Sequence, residues 1–385
     1  MDTGMLDNIA DILADTEPPS PPDPWQTVQH ILARKAEYGI TRLGSITGLD
    51  RIGVPVVQVV RPRSRSVAVS QGKGLTFPLA AISGLMESLE GWASERIEPE
   101  RTFMASLREM NSRGDWSHLG IGRDEEILSW IDGLDLLSGG QMAVPLALVD
   151  TAYLVPSPHA HWIARDTTGL AAGTSLQGAV LHACLEILER QARCTAMKTP
   201  HFFDRFQIDS PSVQSGSAGD IMQRLAQTGF VVGIWQIPAP HSLPVYWCHV
   251  MEDASRPPFA PLPAEGFGCD FSHDTALTSA LLEACQSRLG VISAARDDIR
   301  TELYGHADIS ELAAWREQLA KGRRSYAPGP GAGDRSLGPV IEALKLAGAH
   351  AAALVVLHSD DRVPLHVVRV VAPPLETNPE ADLAR

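Results

Sequence analysis

Apolar and polar positions follow one helical pattern in three segments of the chain, about a hundred residues apart. In each segment a small or polar residue is followed four positions later by Glu, and three positions after that by Glu or Gln. On an α-helix these offsets place the three side chains on one face, while the remaining Leu, Ile, Met, Ala and Cys favour burial. Carboxylates on such a helix are costly unless they are paired, hydrogen-bonded or bound to a cation. The repetition therefore predicts one shared polar site, built by segments 83–90, 182–190 and 279–288.

Glycine-rich turns precede the three helical segments. They are expected at 72–74, 166–174 and 266–270, and the helices that follow should end near Arg96, Met197 and Leu289. Repeated strand, glycine turn and helix units indicate an α/β or α+β domain rather than a solenoid. Apolar runs predict strands at 54–60, 67–69, 231–237, 245–250, 353–357 and 365–371, with further helices at 28–38 and 340–346.

The domain boundaries follow from composition. Residues 1–24 are acidic and end in a proline-rich run, which predicts a mobile tail. Residues 25–376 are expected to form one folded domain, and 377–385 a C-terminal tail. The Gly- and Pro-rich stretch 326–338 predicts a mobile loop inside that domain.

Net charge and cysteine content limit the classes of partner and the cellular compartment that are expected for this chain. The chain of 385 residues is 44% hydrophobic, enough for a substantial core, and its net charge is −14. This balance argues against nucleic acid or an anionic membrane as the main partner. We find no apolar run long enough for a transmembrane helix and no secretory signal at the N-terminus. The five cysteines form no Cys-x-x-Cys pair, so a reduced, cytoplasmic setting is expected.

The repeated glutamates indicate nucleotide chemistry when they are taken with their glycine turns. A single Glu-x-x-Glu is typical of a solvated helix face, but helix N-termini after glycine turns favour phosphate, and Mg²⁺ prefers carboxylates with phosphates and water. Lys73 is either a phosphate contact or an exposed lysine, and its turn is not a Walker A loop. Arg296, after the third helix, is either a γ-phosphate contact or part of a helix-terminus ion pair.

With these residues in place, the chain resembles the YcaO family over residues 40–376. The resemblance implies an α+β YcaO-type ATP-binding fold without a P-loop, in which mixed sheets are flanked by helices and strand, glycine turn and helix form internal pseudo-repeats. It also implies ATP and Mg²⁺ as cofactors. The matching motifs are Gly72-Lys73-Gly74, Ser83-x3-Glu87-x2-Glu90, Gly169-Leu170-Ala171-Ala172-Gly173, Glu186-x2-Glu189-Arg190, Glu283-x2-Gln286-Ser287-Arg288 and Arg296-Asp297-Asp298.

The activity implied by the resemblance is activation of a peptide backbone amide. Amide resonance makes the carbonyl a poor electrophile, and phosphorylation of its oxygen creates a leaving group for a nucleophile to displace. The resemblance assigns Mg²⁺ to Glu87, Glu90, Glu186 and Glu189, and neutralisation of phosphate charge to Lys73, Arg190, Arg288 and Arg296. Ser83, Glu283 and Gln286 are expected to hold the ribose, the base or the surrounding shell.

The nucleophile of the expected reaction is inferred from a similarity to particular branches of the family. Residues 39–42 and 47–56 are similar to the branch that works with TfuA-type partners and to the archaeal branch, which install thioamides from an external sulfur source. Azoline-forming members often end in Pro-x-Pro-x-Pro, whereas this chain has Pro373-Pro374-Leu375-Glu376 and continues to Arg385. Thioamide formation on a precursor peptide with a TfuA-like partner or other sulfur donor is the leading interpretation. Azoline or amidine formation is the alternative, and a homodimer is expected.

Three positions depart from the family pattern and motivate a second class of function. Gly91 stands where Arg is expected, Gly178 where Glu is usual, and Thr174 where Asn is frequent. Loss of an Arg and a carboxylate would weaken phosphate or Mg²⁺ binding unless Arg96, Glu95 or Gln177 compensates. A degenerate, peptide-binding scaffold is therefore the competing hypothesis. A generic ATP-grasp or kinase-like enzyme is disfavoured because its signature loops are missing.

Overall fold

Helices cover three antiparallel sheets in the computed structural model, which describes residues 22–116, 119, 122–255, 263–296, 309–360 and 363–377. None of the described helices combines the length and apolarity needed to cross a membrane. The helices are α1 (Pro24–Ala33), α2 (Phe77–Ser94), α3 (Leu107–Met110), α4 (Leu176–Lys198), α5 (Phe202–Arg205), α6 (Gly216–Gln227), α7 (His273–Ser293), α8 (Ile309–Leu319) and α9 (Leu337–Ala347).

The strands between these helices include more elements than the apolar runs predicted. Five of the six predicted strands are present, whereas β3 shares only Val69 with the predicted strand 67–69 and extends into the predicted turn. Strands β1, β7, β8 and β11 and the hairpin-rich region of β4, β5 and β6 were not predicted. The strands are β1 (Arg42–Ser45), β2 (Val56–Val60), β3 (Val69–Lys73), β4 (Thr102–Ser106), β5 (Ile127–Asp135), β6 (Gln141–Pro145), β7 (Leu170–Gly173), β8 (Gln207–Ile208), β9 (Phe230–Ile237), β10 (Val245–Glu252), β11 (Ala264–Cys269), β12 (Ala353–Asp360) and β13 (Leu365–Val371).

Strand pairing divides the fold into three sheets. Their orders are β1-β2-β3, β11-β10-β9-β8 and β4-β5-β12-β13-β7, with β6 also paired to β5. The pairings among these described strands are antiparallel, so the α+β class agrees with the prediction whereas the expected mixed sheets are not seen. Strands β3, β11 and β7 are the terminal strands of their sheets.

The glycines assigned to turns lie instead within or at the ends of these terminal strands. Gly72 is in β3, while Gly266 and Gly268 are in β11. A Cβ at Gly72 would stand 2.0 Å from the backbone nitrogen of Gly84 in α2, and one at Gly268 would stand 2.1 Å from the carbonyl oxygen of Ala276 in α7. The glycines are needed because each helix backbone packs directly on the preceding strand.

Side-chain caps fix where the three central helices begin. Thr76 accepts from the backbone N–H of Leu79 at the start of α2, and Ser175 accepts from Gly178 at the start of α4. Ser272 caps α7 in the same way by accepting from Thr275. Such caps satisfy N–H groups that lack an intrahelical partner, so the register of each helix, and with it the direction of each glutamate, is set by its first turn.

The chain ends of the domain differ in detail from the sequence prediction. Helix α1 begins at Pro24 with Asp23 as its cap and ends at Ala33, earlier than the predicted 28–38. The proposed acidic tail lies outside the described residues apart from 22–24, and of the proposed C-terminal tail only Thr377 is described. The predicted loop at 326–338 stops at Ser336, because α9 starts at Leu337.

Candidate active site

The terminal strands β3, β7 and β11 meet helices α2, α4 and α7 around a cavity of about 740 Å³. Each helix follows one of these strands in the chain, so the pseudo-repeat brings its three polar faces together in space. The predicted residues that line the cavity are Lys73, Ser83, Glu87, Glu90, Glu186, Glu189, Arg190, Glu283, Gln286 and Arg296.

Side chains of this cavity accept hydrogen bonds from the strand edges. The backbone N–H of Ala172 donates to Glu90 Oε1 (2.9 Å), and that of Gly169 donates to Glu186 Oε2 (3.1 Å). The N–H of Lys73 donates to Ser83 Oγ (3.3 Å). A terminal strand leaves backbone groups without a partner strand, so these side chains complete the sheet edges and are held in direction by them.

Three cationic side chains bring positive charge to the cavity. Lys73 Nζ lies 2.6 Å from Glu283 Oε2, and Arg296 Nη1 lies 3.3 Å from Glu87 Oε1. Arg190, one helical turn beyond Glu186, lies 3.8 Å from its carboxylate. The three cations face five glutamates, so the cavity carries an excess of carboxylates when all are ionised.

This excess is reflected in the acid–base behaviour of the glutamates. Desolvation raises the pKa of Glu189 to about 8, with Glu283 and Glu186 adding to the effect. Desolvation also holds the pKa of Glu90 well above its usual range, reinforced by the charges of Glu87 and Glu186. Glu283 differs: burial would raise its pKa, but Lys73 and Arg190 together lower it. The metal-free cavity thus favours protons on some glutamates.

These residues fit Mg²⁺ and a polyphosphate, although the carboxylates do not form a ready-made metal centre. Among the described residues no three His, Cys, Asp or Glu side chains are grouped closely enough to hold a metal ion by themselves. Mg²⁺ is usually bound by one or two carboxylates together with phosphates and water. A bound cation would offset the desolvation and repulsion that raise the pKa of these carboxylates, and the cationic side chains on the same walls would pair with phosphate.

Arg288 is the predicted site residue that the structure places elsewhere. Its guanidinium is buried against Asp50, lies 2.9 Å from Glu252 and stacks over the ring of Phe230 at 5.0 Å. It does not line the cavity. The reason is helical geometry, since a residue two positions after Gln286 points to the opposite side of α7. The assignment of Arg288 to phosphate is therefore corrected to a structural ion pair.

His182 opens the predicted polar face of α4, one turn before Glu186, and lines the cavity. Two further residues of the lining were not predicted, and one of them, Asp270, follows β11. Gln71 belongs to β3, two residues before Lys73. The helix spacing signals His182, since it is four residues before Glu186, whereas Gln71 and Asp270 are brought in by strand placement. Asp297 and Asp298 lie outside the described residues.

Neither Gly91 nor Gly178 is among the residues that line the cavity. A Cβ at Gly91 would stand 3.0 Å from Arg61 Nη2, and Arg61 is buried in an ion pair with Glu95 (2.9 Å). At Gly178 such a Cβ would meet only Ser175 Oγ, at 3.0 Å. Glu95, Arg96 and Gln177, considered as compensating residues, do not line the cavity.

Fold and cavity together are those of an ATP- and Mg²⁺-binding α+β protein. A family model described as YcaO cyclodehydratase, ATP- and Mg²⁺-binding, matches residues 71–376. The chain belongs to the YcaO family. The family assignment agrees with the sequence prediction, which is confirmed on this point, and the family description names the expected ATP and Mg²⁺.

Relatives and a solved structure extend this result. An uncharacterised protein of Mycobacterium tuberculosis is 31% identical over 302 residues, covering 74% of this chain, which spans 64% of that relative's length. An uncharacterised protein in the tfuA 3′ region of Rhizobium leguminosarum bv. trifolii is 28% identical over 374 residues, covering 92% and 88%. The structure of YcaO from Methanopyrus kandleri bound with AMPPCP and Mg²⁺ is similar with a TM-score of 0.69 and 22% identity, covering 94% and 93%. At this identity it supports the fold alone.

Proposed function

We propose that this protein uses ATP and Mg²⁺ to phosphorylate the oxygen of a peptide backbone amide and then exchanges that oxygen for sulfur. The observation that carries the proposal is the single cavity lined by glutamates of three helices together with Lys73, Arg190 and Arg296. Mg²⁺, when bound, would offset phosphate charge and orient the γ-phosphate. The family match supports the first half of the reaction.

The glutamates and the cationic side chains of the cavity have different roles in this proposal. Glu87, Glu90, Glu186 and Glu189 would hold Mg²⁺ directly or through water, because hard cations prefer carboxylate oxygens. That list follows the sequence prediction, and all four side chains line the cavity.

The cations would stabilise charge as it moves during phosphoryl transfer. Arg190 stays charged because Glu189 and Glu186 raise its pKa, outweighing the effect of burial. Arg296 and Lys73 reach the cavity from the end of α7 and from β3. Positively charged donors placed before the reaction stabilise developing phosphate charge without reorganisation. Ser83, Glu283 and Gln286 would hold the ribose, the base or the surrounding shell.

An external sulfur source fits the cysteine chemistry of the cavity. Cys269 lines the cavity, but burial raises the pKa of its thiol well above the usual range, with Glu189 adding to the effect. A thiol kept neutral is a poor nucleophile and a poor sulfur carrier. The relative in the tfuA 3′ region supports a TfuA-like protein as the partner that delivers sulfur. The five free, buried cysteines are compatible with the proposed reduced, cytoplasmic setting.

Two alternatives remain as outcomes of the test. The family description names cyclodehydratases, which favours azoline or amidine formation as the second candidate. The scaffold hypothesis is the other alternative, and neither Gly91 nor Gly178, which motivated it, lines the cavity. The expected homodimer stays a prediction, to be measured by light scattering.

The test combines the protein, Mg²⁺, ATP, sodium sulfide and a pooled library of short synthetic peptides, with and without a TfuA-like protein. Mass spectrometry should show replacement of one oxygen by sulfur, together with ATP consumption. Loss of water would indicate an azoline, and absence of ATP consumption under all these conditions would overturn the enzyme assignment. Glu186→Gln should abolish turnover, while Glu125→Gln, on an exposed side chain outside the cavity, serves as the matched control.

A further inference from the structure

The cavity holds one imidazole, His182, that the reaction described above does not use. His182 belongs to α4, four residues before Glu186, and its ring is exposed to the cavity that it lines. Among the described residues no hydrogen-bond partner is found for this ring. An imidazole exposed to a cavity that charged groups line is not packed into the core.

The other charged groups of the same wall already have partners. Lys73 is paired with Glu283, and Arg335 donates to both carboxylate oxygens of Asp270 at 2.7 and 2.9 Å. These four groups, from β3, α7, the loop before α9 and the segment after β11, are also the charges that act on His182. Among these charged groups and His182, the imidazole is thus the one without a direct partner in the described residues.

We propose that His182 is the proton-transfer group for the second half of the reaction, in which the nucleophile displaces phosphate. This inference rests on the proposed function. Desolvation lowers the pKa of His182, with Lys73 and Arg335 adding to it, so a neutral ring with a free lone pair predominates near neutral pH. A neutral imidazole in reach of the reacting atoms is the usual general base of proteins.

The step balances with hydrosulfide as the nucleophile. Hydrosulfide forms a C–S bond to the imidate carbon of the O-phosphorylated amide, whose nitrogen gave its proton to solvent during phosphorylation. The C–O bond breaks with its electron pair going to phosphate. The proton on sulfur passes to the free nitrogen of His182 and then to the amide nitrogen. The products are a thioamide and phosphate, and His182 is returned to its neutral form.

His182 lies on α4 ahead of the glutamates assigned to Mg²⁺, and its neighbour Lys73 is paired with Glu283. The metal-binding glutamates of α4 lie one and two turns further along the helix, with Arg190 beside them. Substitution of His182 should therefore leave nucleotide binding and phosphorylation of the amide intact while slowing sulfur transfer. A residue with only a packing role would affect both halves together or neither.

The experiment compares His182→Gln and His182→Ala with the parent protein on a peptide that the parent modifies in the library assay. Mg-ATP binding by calorimetry should stay within about twofold, and exchange of labelled oxygen within ATP, which reports reversible amide phosphorylation, should persist. Thioamide formation should fall by about 10²-fold or more. Added imidazole should partly restore the rate of His182→Ala but not that of His182→Gln.

Controls separate this inference from the proposed function. His161→Gln, an exposed histidine outside the cavity, should behave as the parent. If the parent forms thioamide and both His182 variants match its rate, or if they lose Mg-ATP binding and product formation in parallel, the assignment of His182 is wrong. If the parent itself neither consumes ATP nor modifies a peptide, the proposed function fails first.

Discussion

Lys73 Nζ lies 2.6 Å from Glu283 Oε2, which joins two residues that are 210 positions apart in the chain. Lys73 ends the terminal strand of one sheet, and Glu283 lies on the helix that packs on the terminal strand of another. The pair therefore connects two of the pseudo-repeats across the cavity. It also neutralises a lysine that a phosphate would otherwise attract, so nucleotide binding must compete with Glu283 for this cation.

Lys73→Met should weaken Mg-ATP binding by about tenfold or more, because a cation that faces phosphate is lost. Glu283 would lose the partner that lowers its pKa and would bind a proton more readily. With Glu283→Gln as the second substitution, a double-mutant cycle on thermal unfolding should give a coupling energy of about 0.5–3 kcal/mol. Additive effects on stability would contradict a direct pair.

Nucleotide binding is expected to release protons. Glu189, with a pKa of about 8 in the metal-free protein, is mostly protonated at pH 7, and a cation must displace that proton to reach the carboxylate. Mg-ATP affinity should therefore rise from pH 6.5 to about pH 8 and then level off. Calorimetry in buffers with different ionisation enthalpies measures the proton count directly.

Glu189→Gln provides the control for this pH dependence. The variant has no titrating group at that position, so it should release fewer protons and show a flatter pH profile, with a lower affinity at pH 8. An unchanged proton count in Glu189→Gln would show that other carboxylates of the cavity carry the titration.

Arg288 is predicted to matter for stability and not for nucleotide binding. Its removal in Arg288→Met would leave the buried Asp50 carboxylate without its guanidinium partner, while Glu252 keeps Arg51 at 3.1 Å. Breaking a buried ion pair in this way typically destabilises a protein by about 3–5 kcal/mol. Urea unfolding should show this loss, while Mg-ATP affinity of the folded fraction stays close to that of the parent. A stable variant with lost Mg-ATP binding would restore the original assignment.

The case of Arg288 also shows what the sequence can and cannot predict. Helix periodicity brings Glu186 and Arg190 to one face because they are four residues apart, and both line the cavity. The same periodicity turns Arg288 away from Gln286. The assignment of Arg288 to phosphate rests on the family motif, which contains an arginine at this position, and not on helix periodicity. Helix spacing therefore predicts which side of a helix a residue lies on when it is applied to each residue in turn.

Features that depend on where the strands lie in the fold could not be predicted from the local sequence pattern. Glycines at 72, 266 and 268 were assigned to turns because the local signal for a turn and for close helix packing is the same. The hydrogen bond from Ala172 to Glu90 joins a strand to a helix 82 positions earlier. Such edge contacts arise from tertiary packing, so neither they nor the cavity residues Gln71 and Asp270 were predicted.

Gly91 stands where the family pattern has Arg, and its surroundings predict what an arginine at this position would do. Gly91→Arg would place a second guanidinium against Arg61, whose own guanidinium is buried between Glu95 and Ser64. Glu95 already pairs with Arg61 and Arg96, so a third cation would then share one buried carboxylate. The variant should be destabilised by several kcal/mol, on the order of a broken buried pair, as measured by urea unfolding. Gly91→Ala separates this effect from helix propensity: it gains about 1 kcal/mol from the helix but must displace Arg61 by a few tenths of an ångström. If Gly91→Arg instead left stability unchanged and tightened Mg-ATP binding, position 91 would face the nucleotide and the present assignment of Gly91 to the Arg61 side of α2 would be wrong.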